Sequence, residues 1–223
     1  MRKPFMLIAG LIAAVSATPG MAGDNNGKLQ VKILGSAVLP DGKIDSVNED
    51  IVGLPSTIRT KANDNYVPTV AIEYFFDPSV SVETICCVTQ HDVDATRGVP
   101  GAELVSDAKL VPATVTVKYH FNPGGISPYI GAGPALFLFI DEKPGAAAVS
   151  LGADRLKLSN DFGVALQAGV DVPLNDKGFS LSLDAKRYFI GTTARWYAAG
   201  TKVIETENDL NPWVLSAGVG FRF

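Results

Sequence analysis

The sequence predicts an all-β fold, an eight-stranded antiparallel up-and-down transmembrane β-barrel. Eight segments alternate apolar side chains with small or polar ones, which is the pattern of a strand with one apolar face. Long and short connections alternate between these segments. The chain also ends on Phe-Arg-Phe, although chain termini usually fray into water. A barrel in lipid accounts for all three observations.

The closing segment, residues 211–223, has the clearest alternation. Trp213 and Phe223 lie about ten residues apart, which is the span of a tilted transmembrane strand, so each is predicted to lie in one of two aromatic girdles. Taken alone, this segment also fits the last strand of a soluble sandwich or of a lipocalin-like barrel. Its apolar face consists of Trp213, Leu215, Ala217, Val219, Phe221 and Phe223.

The N-terminus predicts two regions, a signal peptide over residues 1–22 and a barrel over residues 23–223. Two basic residues precede an apolar run at residues 4–15, and small residues follow at 20–22. The alternative, a membrane anchor, requires a longer apolar run than this one. No other uninterrupted apolar run of about 18 residues occurs, so strands must make any crossing of a membrane.

The net charge and the cysteine content limit which partners and which chemistry we expect. The net charge of -4 comes without a basic patch, so nucleic acid is not an expected partner. The only cysteines, Cys86 and Cys87, are adjacent, and neighbours in a strand point to opposite faces. We interpret them as free thiols or small apolar fillers, with a redox role as the alternative.

Connection length indicates a membrane barrel more strongly than any single strand does. In outer-membrane barrels, short turns lie on the periplasmic side and long loops lie outside the cell. The four long connections here are all odd-numbered, are polar, and are predicted as external loops at residues 40–63, 89–109, 141–159 and 191–209. The predicted strands cover residues 29–37, 66–76, 80–88, 111–121, 128–139, 162–172, 179–186 and 213–223, with short turns at 77–79, 122–125 and 175–178.

The residues resemble the OmpW-type small outer-membrane proteins over most of the mature chain. The resemblance implies a monomeric eight-stranded barrel with a narrow, partly apolar lumen, which aids the passage of small hydrophobic molecules across the outer membrane. Lys186 departs from the family, which often has an apolar or aromatic side chain at that lumen position, whereas Ile85 keeps an aliphatic one. The matching segments are Val82-Glu83, residues 110–121, Pro128-Tyr129-Ile130-Gly131-Ala132-Gly133, residues 139–142, residues 163–171 and residues 210–223.

The lumen of an eight-stranded barrel holds side chains or one small ligand. We predict an ion network among the inward residues, which either plugs the barrel or forms a conducting or selective site. An apolar cup for a ligand is predicted further out, at Val67, Thr69, Ile85 and Lys186. Prolines at 68, 112, 134 and 212 either leave a gap in the wall for lateral exit or merely end strand pairing. The network residues are Lys32, Glu73, Glu83, Lys118, Asp184 and Arg222, together with Lys186.

Enzymatic chemistry is not predicted, and neither is a cofactor. His91 and His120 are expected at opposite ends of the barrel, which separates the two candidate bases. His91 with Asp92 and Asp94 fits a solvated loop better than a metal site. The expected partners are membrane lipids, small hydrophobic molecules and the outer-membrane assembly machinery. The alternative function is a surface-interaction barrel whose external loops bind a phage, a bacteriocin or a host surface.

Overall fold

A computed structural model describes residues 24–121 and 125–223. The signal peptide predicted at residues 1–22 and most of the turn predicted at 122–125 lie outside the described residues. The elements are β1 (Leu29–Leu39), β2 (Lys43–Asp50), β3 (Arg59–Ala62), β4 (Asn65–Asp77), β5 (Val80–Cys86), β6 (Thr89–Arg97), β7 (Glu103–His120), β8 (Ser127–Pro144), α1 (Ala146–Ser150), β9 (Arg155–Leu158), β10 (Asp161–Pro173), β11 (Phe179–Phe189), β12 (Gly191–Ala198), β13 (Thr201–Asp209) and β14 (Trp213–Arg222).

Eight of these strands close into one barrel. Their order is β5-β4-β1-β14-β11-β10-β8-β7, and β7 pairs again with β5. All of these pairings are antiparallel, and the first and last strands meet in continuous register from Gln30↔Arg222 to Leu39↔Trp213. The predicted eight-stranded antiparallel barrel is therefore confirmed.

The barrel is apolar outside and polar inside, the reverse of a soluble protein. Ile33, Val117 and Phe162 are each more than half exposed on the outer face. Inward positions on the same sheet, such as Glu73 and Lys118, are almost fully buried. Only a solvent as apolar as lipid makes this distribution favourable.

Aromatic residues stand at both ends of the outer face. Trp213 lies at the end that carries the long connections, hereafter the long-connection end, and contacts the Arg187 guanidinium. Phe221 packs against Phe223 and Phe179 at the opposite, short-turn end. This is the arrangement expected of the two aromatic girdles. No helix in the described part of the chain is long and apolar enough to span a bilayer.

The four long connections are not the polar loops that we expected. They form a second sheet, β2-β13-β12-β9, together with the β3-β6 pair that continues the barrel wall beyond β5. The physical reason is that they bury an apolar cluster of their own. Its buried members are Val105, Ala108, Ala148, Ala153, Leu156, Ala194, Trp196 and Val203.

The outer surface of this extension carries ion pairs beside a smaller number of exposed apolar side chains. Lys202 and Arg195 donate hydrogen bonds to the Glu205 carboxylate at 2.7 and 2.8 Å. These two donors hold the pKa of Glu205 below its usual range. The extension therefore presents charge to water while its inner side covers the barrel mouth with apolar residues.

Candidate ligand site

The lumen contains a network of buried ion pairs at the short-turn end. Lys118 Nζ lies 2.8 Å from a Glu73 oxygen and 2.9 Å from a Glu83 oxygen. Lys32 Nζ lies 2.8 Å from Glu73, and the Lys118 ammonium also sits 3.7 Å from the centre of the Tyr129 ring. Each charge has a partner of opposite sign, which offsets the cost of removing it from water.

A second set of contacts extends this network across the lumen. Lys186 Nζ lies 3.0 Å from Glu83 and 2.7 Å from Asp184. Lys32 reaches Asp171 at 3.1 Å, and the Gln167 amide donates to Glu83 at 2.9 Å. The contacts join strands from opposite sides of the barrel, so they form a floor across its interior, hereafter the charged floor.

Uncharged side chains, apolar ones together with several hydroxyl groups, occupy the lumen above the charged floor. Ile85 packs with Leu34 and Ala71 in a small buried cluster. Further toward the long-connection end, a larger cluster includes Leu110 and Phe137. The lumen therefore changes from ionic to uncharged along the barrel axis, and its largest apolar cluster lies toward the long-connection end.

An apolar cavity of about 70 Å³, hereafter the inner cavity, lies beneath the extension. Its walls come from both the barrel and the extension, and Phe137, Leu110 and Trp196 are among the largest side chains that line it. His91 and Thr192 are polar members of the lining. A mostly apolar pocket with a few polar groups is typical of a small-molecule site.

The barrel wall has an unpaired seam next to β4. The last register pair between β4 and β5 is Val70↔Cys86. Beyond it, the Asn65 side chain donates to the Gln90 carbonyl at 2.8 Å. Between these two links, β4 runs beside residues 87–89 without ladder pairs, over roughly 13 Å at the usual rise per residue.

The β4 side of this seam carries no free backbone donor. Phe75 N–H donates to the Lys28 carbonyl on the β1 side at 2.8 Å, and N–H groups alternate in direction along an antiparallel strand. The N–H groups of even-numbered residues therefore face β5 and the seam. Pro68 has no N–H, and the Tyr66 N–H is bonded to the Asn65 side chain at 2.8 Å. The seam therefore leaves no β4 donor unsatisfied.

Comparison with known proteins identifies the family. The model of the OmpW family matches residues 25–223. Outer membrane protein W of Vibrio cholerae is 30% identical, over 97% of this chain and 98% of that protein. The chain belongs to the OmpW family. The predicted resemblance is thus confirmed, and this OmpW-family barrel is an outer-membrane protein whose apolar face contacts membrane lipids.

Solved structures agree with this fold. The crystal structure of OprG from Pseudomonas aeruginosa superposes with a TM-score of 0.79 at 23% identity, covering 91% of this chain and 99% of that chain. The solid-state NMR structure of AlkL in lipid bilayers superposes with a TM-score of 0.69 at 19% identity, covering 100% of this chain and 97% of that chain. In outer-membrane barrels the long connections are extracellular, so the long-connection end of this OmpW-family barrel faces outward.

The predicted network residues divide into two groups. Six lie together in the charged floor: Lys32, Glu73, Glu83, Lys118, Asp184 and Lys186. Arg222 does not join them. Its guanidinium stacks 3.5 Å from the centre of the Phe75 ring and donates to the Gly27 carbonyl at 2.6 Å. The reason is its position along the barrel axis, since Arg222 is the last residue of β14 and lies at the short-turn rim.

The predicted ligand cup needs a second correction. Lys186 belongs to the charged floor and not to an apolar cup, because two carboxylates hold it there. Ile85 and Thr69 are buried just above the floor, and Val67 packs against the larger apolar cluster. The inner cavity lies further out than these residues and is lined in part by the extension.

Sequence reasoning missed some members of the floor. Asp171 and Gln167 lie on the inner face of β10, and strand alternation could have identified both. Tyr129 was hidden by the weak alternation of the glycine-rich β8. The inner cavity had no sequence signal, because its walls combine four separate connections.

The remaining candidates lie apart from one another. His91 is buried rather than solvated, with its ring nitrogens near the Asn63 carbonyl at 2.7 Å and the Thr89 hydroxyl at 2.9 Å. His120 is at the short-turn end beside Glu73. Cys86 faces outward and Cys87 is buried, and both are free thiols. No group of three or more potential metal ligands occurs within residues 24–121 and 125–223.

Proposed function

We propose that this OmpW-family barrel passes small apolar molecules from outside the cell into the outer membrane. The observation that carries the proposal is the apolar inner cavity above a charged floor. A molecule that leaves water for such a cavity gains roughly 25 cal/mol per Å² of apolar surface buried. The floor offers no comparable gain to an apolar molecule and is filled by paired side chains.

The exit in this proposal is sideways, through the seam beside β4. A polar edge in contact with lipid is costly, because lipid cannot satisfy a free N–H. Pro68, which has no N–H, and Tyr66, whose N–H donates to the Asn65 side chain, remove that cost on the β4 side. An apolar molecule leaving there enters lipid directly and never meets the charged floor.

The proposal assigns no catalysis and no cofactor. The two histidines pack at opposite ends of the barrel, so they cannot act on one substrate. The alternative of a surface-interaction barrel gains no specific support, since the connections that would bind a partner are folded over the cavity. Insertion by the outer-membrane assembly machinery stays a prediction.

Binding of a fluorescent apolar probe tests this function. Leu110→Asn places an amide in the lining of the inner cavity, and an unpaired buried polar group costs about 1–3 kcal/mol. We expect N-phenylnaphthylamine to bind this variant about tenfold more weakly than wild type in lipid vesicles. Val99→Asn, on an exposed connection away from the cavity, is the matched control. Equal affinity in the folded Leu110→Asn protein would refute the proposal.

A further inference from the structure

A second apolar cavity lies outward of the inner cavity. This outer cavity has a volume of about 40 Å³ and is lined by residues of β2, β13, α1 and the segment after β2. Two of its lining residues reach the surface, since Leu151 is 70% exposed and Val52 is 44% exposed. The outer cavity therefore reaches an apolar patch on the extracellular surface.

The two cavities share a partition. Ile44, Leu104 and Trp196 line both of them. Trp196 is the largest of the three and is buried, with only 6% of its surface exposed. A path from the surface patch to the inner cavity therefore passes the Trp196 indole.

Cavity size indicates that this partition must move. An engineered apolar cavity of about 150 Å³ is known to hold a single benzene molecule. The inner cavity is about half that size and the outer cavity is smaller still. Neither one admits a ligand of benzene size or larger unless a lining side chain shifts, and displacement of the indole would merge the two spaces.

Trp196 lies beside an irregular strand pairing, and its indole is held by one hydrogen bond and by packing against small side chains. A register irregularity in the β12–β13 pairing falls between Trp196 and Tyr197, and bulges of this kind redirect side chains. The indole has one polar tether, a hydrogen bond from Nε1 to the Leu104 carbonyl at 3.2 Å, which is long for this type of bond. The cluster around it includes small side chains at Ala148, Ala153 and Ala194.

We propose that the Trp196 indole gates passage between the two cavities, and that apolar molecules enter over Leu151 and Val52 and displace it. This inference rests on the proposed function, because it supplies the entry route for the same inner cavity. It also sets a size limit, since only ligands that can push the indole aside pass inward. Trp196 is thus a specificity-determining residue for apolar molecules that fill the merged cavity.

Tryptophan fluorescence tests the gate without changing it. The chain has two tryptophans, and the other, Trp213, is half exposed on the lipid face, so Trp213→Phe leaves Trp196 as the single reporter. In vesicles, we expect 1-bromohexane to quench Trp196 along a saturable curve and brominated phospholipid to leave it unquenched. The matched Trp196→Phe protein reports Trp213 alone. Brominated phospholipid should quench its fluorescence, and quenching by 1-bromohexane should rise in proportion to the bromohexane concentration without saturation. Absence of saturable quenching of Trp196 would overturn the gate.

Uptake by cells separates the gate from the proposed function. Trp196→Ala should admit bulkier apolar probes than wild type and take up N-phenylnaphthylamine several-fold faster, whereas Trp213→Ala should match wild type. Normal uptake by wild type without saturable quenching of Trp196 would refute the gate alone. No uptake by wild type, together with saturable quenching, would refute the proposed function and leave the gated cavity in place. If Trp196→Ala does not fold, the quenching of Trp196 in the Trp213→Phe protein decides whether the gate exists.

Discussion

Single residues show how far strand alternation predicts the lumen. The period of two along each strand placed Lys32, Lys118 and Lys186 on the inner face, and all three lie there. The same period cannot give a residue's height in the barrel relative to other strands, because that depends on strand stagger. For this reason Arg222 was assigned to the network although it lies at the rim. Asp171 was left out although the alternation of β10 places it on the inner face, where it pairs with Lys32.

The charged floor predicts a large stability effect at Lys118. Lys118→Met leaves Glu73 and Glu83 each short of one partner in a buried site, and breaking a buried pair costs about 3–5 kcal/mol. We expect the midpoint of urea unfolding in lipid vesicles to fall accordingly. Lys143→Met, which removes a half-exposed partner of Asp107, should change stability by no more than about 1 kcal/mol. A similar loss in both variants would contradict the floor's energetic role.

At the scale of elements, the barrel strands were predictable and the extension was not. Each barrel strand has one face in lipid, so its alternation is readable in the sequence, except in the glycine-rich β8. The strands of the extension bury their apolar residues against one another, and register irregularities interrupt them, as in the β6–β7 and β13–β2 pairings. A bulge shifts the period by one residue, which hides the strand pattern in the sequence.

Closing the seam is expected to slow the exit of apolar molecules from the barrel and to leave their binding unchanged. Pro68→Val supplies an N–H that faces the seam and a residue that favours strands, so it should promote closure between β4 and the β5–β6 segment. We expect several-fold slower uptake of N-phenylnaphthylamine by cells, with probe affinity in vesicles unchanged. Pro128→Val, at the short-turn end of β8, is the matched control and should transport normally. Unchanged uptake by folded Pro68→Val protein would rule out the seam as the exit.

For the whole molecule, the parity of connection length was the strongest predictor. It indicated an up-and-down membrane barrel with all four long connections on one side, and the closed pairing around the barrel agrees with it. The position of the inner cavity could not be predicted from the parity of connection length. It depends on how four connections pack over the barrel mouth, and their contacts join residues far apart in the chain, such as Leu104 and Trp196.

We propose a barrel that admits apolar molecules and is closed to ions. Single-channel recording of the purified protein in planar lipid bilayers tests it most directly, because the charged floor is the only barrier that we assign to ion flow. We predict no steady conducting level in concentrated potassium chloride, with or without N-phenylnaphthylamine. A stable, ohmic conductance from folded wild-type protein would contradict the account, since it requires a continuous aqueous path past Lys118 and Glu83.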